Sequence, residues 1–214
     1  MGSSRTLDRG RLEFMVAPGV YGASTGEGVV ALPQIEVGAR YGITDRFEMG
    51  AKAWLLGAGA DAKIALVRPL SPASGFNLSL NPAVSYISLS AGAEGSTTAT
   101  ASSTLIYIHL PLLAGYRFGG GHEVVVGPRI VDTLGLVNVG GTTSAANGIS
   151  VGSSVGLRLR LGNGFRIMPE FSVIVPVIGT SAAGTSAGAG GMIFQGGLGF
   201  MFGDDGGLEV ASSP

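Results

Sequence analysis

Cysteine is absent from the 214 residues, so neither a disulfide framework nor a thiolate metal site can be built. Charge is scarce too: 13% of residues are Asp, Glu, Lys or Arg, against about 25% in an ordinary soluble domain. A water-facing surface made from this composition would be short of charge. The 13 Lys and Arg are scattered rather than clustered, which argues against nucleic acid as a partner. Histidine is limited to His109 and His122, leaving only scattered carboxylates for a metal site. No cofactor motif is present either: Gly119-Gly120-Gly121 is followed by neither a Lys-Ser/Thr pair nor a helix, as a phosphate loop would require. No run reaches the roughly 18 to 20 continuous apolar residues of a transmembrane helix, so a membrane-spanning form of this chain must be a closed barrel. An N-terminal signal with a basic end and an apolar core is also missing. Met1-Gly2-Ser3-Ser4 resembles an expression leader, and we expect a mature chain whose signal peptide has been removed.

What the sequence does have is alternation. Gly191 to Gly203 puts Met192, Phe194, Gly196, Leu198, Phe200 and Phe202 on one face, and Ile193, Gln195, Gly197, Gly199 and Met201 on the other. This is a strand with one greasy, aromatic-ended face and one small or polar face. The same split predicts strands over about 11–21, 29–42, 47–56, 61–67, 76–89, 104–118, 123–139, 149–161 and 165–178. Connections expected to be long, at 22–28, 90–103, 140–148 and 179–190, alternate with short turns at Ile43 to Arg46, Arg68 to Gly75 with Pro69 and Pro72, Gly119 to Gly121, and Gly162-Asn163-Gly164. Gly57 to Ala60 is expected to be a further short turn, and Asp132, on a greasy face, to mark a bulge or break.

The passage ARYGITDRFEMGAK, the alternating loop lengths and the aromatic closing strand resemble the small outer-membrane β-barrels of Gram-negative bacteria. The resemblance runs from Arg11 to Gly203. It implies an all-β fold: a closed, up-and-down antiparallel transmembrane β-barrel of about ten strands, with eight as the alternative. Short turns would be periplasmic and longer loops extracellular. Residues 1–10 are then an N-terminal leader and 204–214 a C-terminal tail, in which Asp204 and Asp205 extend past the usual terminal aromatic.

A soluble lipocalin-like barrel binding a small apolar ligand has the same period with the greasy face turned inward. Greasy side out is favoured, because the other face is mostly Gly, Ala, Ser and Asn and the strands are long enough for a tilted membrane crossing. Phe14, Tyr41, Phe47, Phe76, Tyr116, Phe165 and Phe202 also gather near the short turns or on the first and last strands, like an aromatic girdle. The lumen then receives Glu13, Glu36, Glu48, Glu123 and Glu170 with Arg40, Lys52, Lys63, Arg117, Arg129, Arg158, Arg160 and Arg166, a net-basic set. The sixth strand is apolar on both faces; placing Ile106, Ile108 and Leu110 outward sends Tyr107, His109 and Arg117 inward.

Two functional readings follow from that lumen. Paired charges would brace a plugged structural barrel; unpaired arginines, Arg158 and Arg160 especially, would line a narrow porin-like path for anions and other small solutes. An outer-membrane hydrolase is the third reading. Omptin-like proteases use Asp and His near the extracellular rim, whereas His122 falls at a short turn and His109 in mid-strand. Lipid A deacylases carry His-x-Ser, whereas His109 is followed by Leu110 and Pro111. The expectation is a non-enzymatic, monomeric barrel without cofactor or metal, its partner the lipid of the outer membrane.

Overall fold

The structure is a computed structural model that describes residues 2–25, 28–71, 74–92, 99–139, 141–162, 164–181 and 191–203. The expected tail at Asp204 and Asp205, Met1, Pro72, Asn163 and most of the 179–190 connection lie outside the described residues. In chain order the strands are β1 (Leu12–Thr25), β2 (Gly28–Thr44), β3 (Phe47–Trp54), β4 (Gly57–Val67), β5 (Gly75–Leu80), β6 (Ala83–Gly92), β7 (Ala99–Phe118), β8 (His122–Val126), β9 (Arg129–Val139), β10 (Thr142–Arg160), β11 (Phe165–Ser181) and β12 (Met192–Gly203). All twelve belong to one sheet. β5 and β6 are halves of one stave, both pairing with β4 and β7, and β8 and β9 are halves of another, both pairing with β7 and β10. That leaves ten staves. β12 pairs antiparallel with β11 and with β1, Phe202 lying opposite both Phe165 and Phe14, which closes the barrel.

A proline, which has no N–H to give to a ladder, sits at each interruption. At Asn81-Pro82 the Pro82 carbonyl accepts from Ala62 N at 3.0 Å, and Asn81 N donates to Pro111 O at 3.0 Å. At Gly127-Pro128 the Pro128 carbonyl accepts from Leu112 N at 2.9 Å, and Gly127 N donates to Ser154 O at 2.8 Å. The strands expected to run unbroken over 76–89 and 123–139 are therefore each split. Asp132 stays in register between Ile108 and Ile149; the break falls upstream at Pro128, and the neighbouring β10–β11 register shifts between Ile149 and Ser150.

In three connections expected to be long loops the described residues are largely strand: β1 runs to Thr25, β7 begins at Ala99, and β10 begins at Thr142. A backbone ladder needs no apolar face to continue, so Ser, Thr and Gly pair here as well as Val would. Gly57 to Ala60 is not a turn. Leu55-Leu56 makes the turn, and Gly57, Ala58, Gly59 and Ala60 pair with Trp54, Ala53, Lys52 and Ala51. Their smallness serves packing: a Cβ on Gly57 would collide with the Tyr86 carbonyl. The turn at Gly119–Gly121 is where expected, and Gly120, at φ 80°, adopts a backbone that favours glycine.

The apolar face points outward around the whole wall. Phe14, Val16, Ile35, Val37, Ile108, Tyr116, Ile130, Val155, Phe171 and Phe202 are exposed, whereas Glu13, Glu48, Lys63, Arg117, Glu123, Arg158 and Arg166 are buried in the lumen. At the short-turn end Phe165 lies 5.2 Å from Phe202, with Phe14 next in the same row and Phe76 opposite Tyr116. That is the expected girdle.

Candidate functional site

The lumen is organised in levels. Nearest the short turns lies the segment set apart in the sequence as a leader: Ser3, Ser4, Arg5, Thr6 and Leu7 are buried inside the barrel. Ser3 Oγ donates to Glu123 Oε2 at 2.6 Å, and Ser4 gives Glu123 Oε1 both its N–H at 2.9 Å and its hydroxyl at 2.5 Å. Thr6 Oγ1 donates to Asp45 O at 2.7 Å, Leu7 N to Glu48 Oε2 at 2.6 Å, and Arg9 N to Asp45 Oδ1 at 3.0 Å. Two wall glycines make room: a Cβ on Gly115 would strike Ser4, and one on Gly42 would strike the Asp8 carbonyl. Arg68, in the turn after β4, meets Asp8. Burial, with Arg5 and Arg117 close by, pushes the Arg68 guanidinium down to about 10, so it remains a cation at neutral pH.

Above the segment the charges pair across the barrel. Glu13 Oε2 accepts from Arg158 at 2.8 Å and from Arg166 at 2.5 Å. Glu123 lies 3.9 Å from Arg117 and 3.8 Å from Arg158. Glu48 Oε1 takes both Lys63 and Arg40 at 2.7 Å, Arg40 reaches Asp61 at 2.8 Å, and Lys52 meets Glu36 at 2.9 Å. Gly50 allows the Arg40–Asp61 pair, since a Cβ there would come within 3.0 Å of Asp61 Oδ2 and 3.1 Å of Arg40 Cγ. An apolar cluster of Leu113, Val125, Met168 and Met201, with Met15 against it, is buried inside the barrel as well.

Of the residues expected in the lumen, Glu36, Arg40, Glu48, Lys52, Lys63, Arg129, Arg158, Arg166 and Glu170 face inward. For Arg158 the structure has the paired arrangement of the structural reading, not the unpaired one of the porin-like reading. Arg158 is buried against Glu13 and Glu123, and Arg160 ends its strand at the short turn, its Nε donating to Gly162 O at 3.0 Å and its N–H to His122 Nδ1 at 3.2 Å. Asp61 was not legible as a lumen acid because it followed directly on residues read as a turn. Its parity with Lys63 was the available signal.

Between the ion-paired floor and the long-loop end lies a cavity of about 240 Å³. Tyr21, Trp54, Ile87, Leu105, Ile174 and Ile193 line its wall; Lys52, His109, Arg129 and Asn81 stand toward its base. Lys52 Nζ sits 5.5 Å from the centre of the Trp54 ring, and His109 stacks on Tyr107 at 5.8 Å. The Tyr107 hydroxyl is hydrogen-bonded to Tyr21. Arg129 Nε and Asn81 Oδ1 are buried and make no hydrogen bond among the described residues. The apolar wall was overlooked in the sequence, although β7, greasy on both faces, signalled it. Among the described residues no group of three or more His, Asp and Glu side chains is placed to hold a metal ion.

No protein-family model matches the chain, and no curated protein matches it in sequence. Solved structures do resemble it. The outer membrane protease OmpT from Escherichia coli superposes with a TM-score of 0.54 at 10% identity, covering 94% of this chain and 100% of that one. The translocator domain of the autotransporter NalP from Neisseria meningitidis gives 0.46 at 10% identity over 90% and 88% of the two chains. The attachment invasion locus protein Ail of Yersinia pestis, in complex with a heparin analogue, gives 0.46 at 8% identity over 91% and 99%. The likeness to OmpT is one of fold: both chains are closed antiparallel barrels, this one of ten staves.

Proposed function

We propose that the chain is a non-enzymatic, monomeric barrel of the bacterial outer membrane, closed to through-flow at its periplasmic end and recessed as a cup on the extracellular side. The observation that carries this reading is the floor, where Glu13 joins Arg158 and Arg166 while Glu123 holds Ser3 and Ser4. Every one of these side chains is buried, so a hydrated ion passing this level would have to break charge pairs in a medium of low dielectric.

The outer wall supports the location. A continuous apolar exterior with an aromatic girdle suits lipid, and a closed ladder leaves no backbone edge unsatisfied there. The short turns are then periplasmic. The protease among the structural neighbours lends the fold only. Here His109 stands among Lys52 and Arg129, and His122 is engaged with the backbone of Arg160; among the described residues neither has a carboxylate partner to orient it as a general base.

The test is conductance of the refolded protein in a planar bilayer, with a heat-modifiability gel confirming the folded barrel. A heat-modifiable but silent barrel is expected. Stable current through the full chain would replace the closed reading with the porin-like one.

A further inference from the structure

The cup is built unlike the rest of the lumen. Below it the inward positions carry the paired charges and a small apolar cluster of Leu113, Val125, Met168 and Met201; in the cup Tyr21, Trp54, Ile87, Leu105, Ile174 and Ile193 line the wall, with Gln34, Thr133 and Gln195 among them. Apolar side chains facing a water-accessible lumen do nothing for the membrane-facing wall, and they cost solvation when left wet. At about 240 Å³ the space lies just under the roughly 300 to 1,000 Å³ of pockets that take drug-sized molecules.

The base of the cup adds direction. Arg129 Nε is a buried donor that makes no hydrogen bond among the described residues. Beside it, His109 has Lys52 and Arg129 as its charged side-chain neighbours, while the carboxylates of Glu36 and Asp61 are taken up by Lys52 and Arg40. Glu170 lies within electrostatic reach of Arg129 and would share it. An apolar wall over a base with a spare guanidinium donor suits a ligand with an apolar body and a single anionic end.

The geometry points to a binding site for a small amphiphilic monocarboxylate, its carboxylate at Arg129 and His109 and its apolar body along Trp54, Ile87 and Leu105. This deepens the proposed function, because a cup requires the floor to be closed. The ligand enters from the long-loop end and leaves by the same route. Arg129 supplies the hydrogen bond, and the apolar wall supplies the hydrophobic part of the affinity.

Trp54 is the single tryptophan of the chain and lines the cup, so it reports on occupancy. The full chain is refolded into phosphatidylcholine vesicles and titrated with 8-bromooctanoate, whose bromine quenches tryptophan emission, and in parallel with 8-bromooctan-1-ol. Saturable quenching is expected, with the acid binding more tightly than the alcohol. In Arg129→Gln the half-saturating concentration of the acid rises by at least about tenfold, as the loss of a hydrogen bond to a charged group predicts, while that of the alcohol is unchanged. Thr133→Phe, which puts a ring into the cup, abolishes saturation by both. Linear quenching that Thr133→Phe leaves unaltered would overturn the site, and so would equal binding of acid and alcohol by the unmodified barrel. Should Arg129→Gln fail to refold, those two comparisons decide. Conductance is read separately: a barrel that conducts yet binds overturns only the closed floor, and one that is silent yet does not bind overturns only the site.

Discussion

Ser4 occupies the space that a side chain at Gly115 would need. A Cβ there would strike the Ser4 hydroxyl and lie 2.8 Å from Glu123 Oε1, so the absent side chain on β7 and the inserted N-terminal segment fit each other. Gly115→Ala should therefore cost about 1–3 kcal/mol, the usual range for overpacking. Gly135→Ala, on the same inward parity but with Leu105 Cδ2 at 3.4 Å as its nearest neighbour, should cost little. Urea unfolding in lipid vesicles compares the two. Equal stabilities would mean that Ser4 does not sit against β7.

Glu123 accepts from Ser3 and Ser4 while facing Arg117 and Arg158. Glu123→Gln withdraws the carboxylate that Arg117 and Arg158 face, and breaking a buried pair in this way costs about 3–5 kcal/mol. Adding Arg117→Met removes one of the two guanidinium groups that faced Glu123, while Arg158 retains Glu13 at 2.8 Å. The double variant is expected to recover a good part of the loss. A double variant less stable than the single one would show that Arg117 is held by something other than Glu123.

The barrel and its inside-out facing were legible because period-two alternation is a backbone property, and Glu13, Glu36, Glu48 and Lys63 stand out against the apolar residues that flank them. The ends of the strands were not. Where Thr142, Thr143 and Ser144 leave the apolar band, pairing continues without any alternation to mark it. Pro82 and Pro128 could have been read as interruptions, but each falls on the outward parity of its strand and passed as a greasy residue. The N-terminal segment was illegible for another reason. Gly2 to Arg9 has no period, and its place is set by Gly42, Gly115, Glu48 and Glu123, which lie far away in the sequence. The cup was half legible, since β7 carried apolar residues on both faces, while facing by itself does not say which inward residues share a level.

The facing itself can be measured. Ile108 is 56% exposed on the outer wall, and an arginine at the bilayer midplane of such a wall costs about 2–4 kcal/mol. Ile108→Arg should lose close to that amount. Gln34→Arg, at an inward position on the cup wall, should lose far less, because the lumen offers the new charge water and neighbouring carboxylates. Folding free energies in vesicles would give the comparison, and the reverse order would turn the barrel inside out, as the lipocalin-like reading has it.

Removing residues 2–9 asks what seals the floor. In the full chain the segment fills the short-turn end of the lumen and gives hydrogen bonds to Glu123, Glu48 and Asp45. Without it those carboxylates lose donors, and Gly42 and Gly115 face an empty channel that water can enter. The pairs of Glu13 with Arg158 and Arg166 remain, but hydrated side chains exchange partners more readily than dry ones. The shortened chain should still run as a heat-modifiable barrel, because the ladder from Leu12 to Gly203 is untouched, and it should carry ion current in a planar bilayer where the full chain is silent. Addition of a peptide with the sequence of residues 2–9 should lower that current if the segment is the seal. Silence in the shortened barrel would instead assign the seal to Glu13, its two arginines and the Met15, Met168 and Met201 layer behind them.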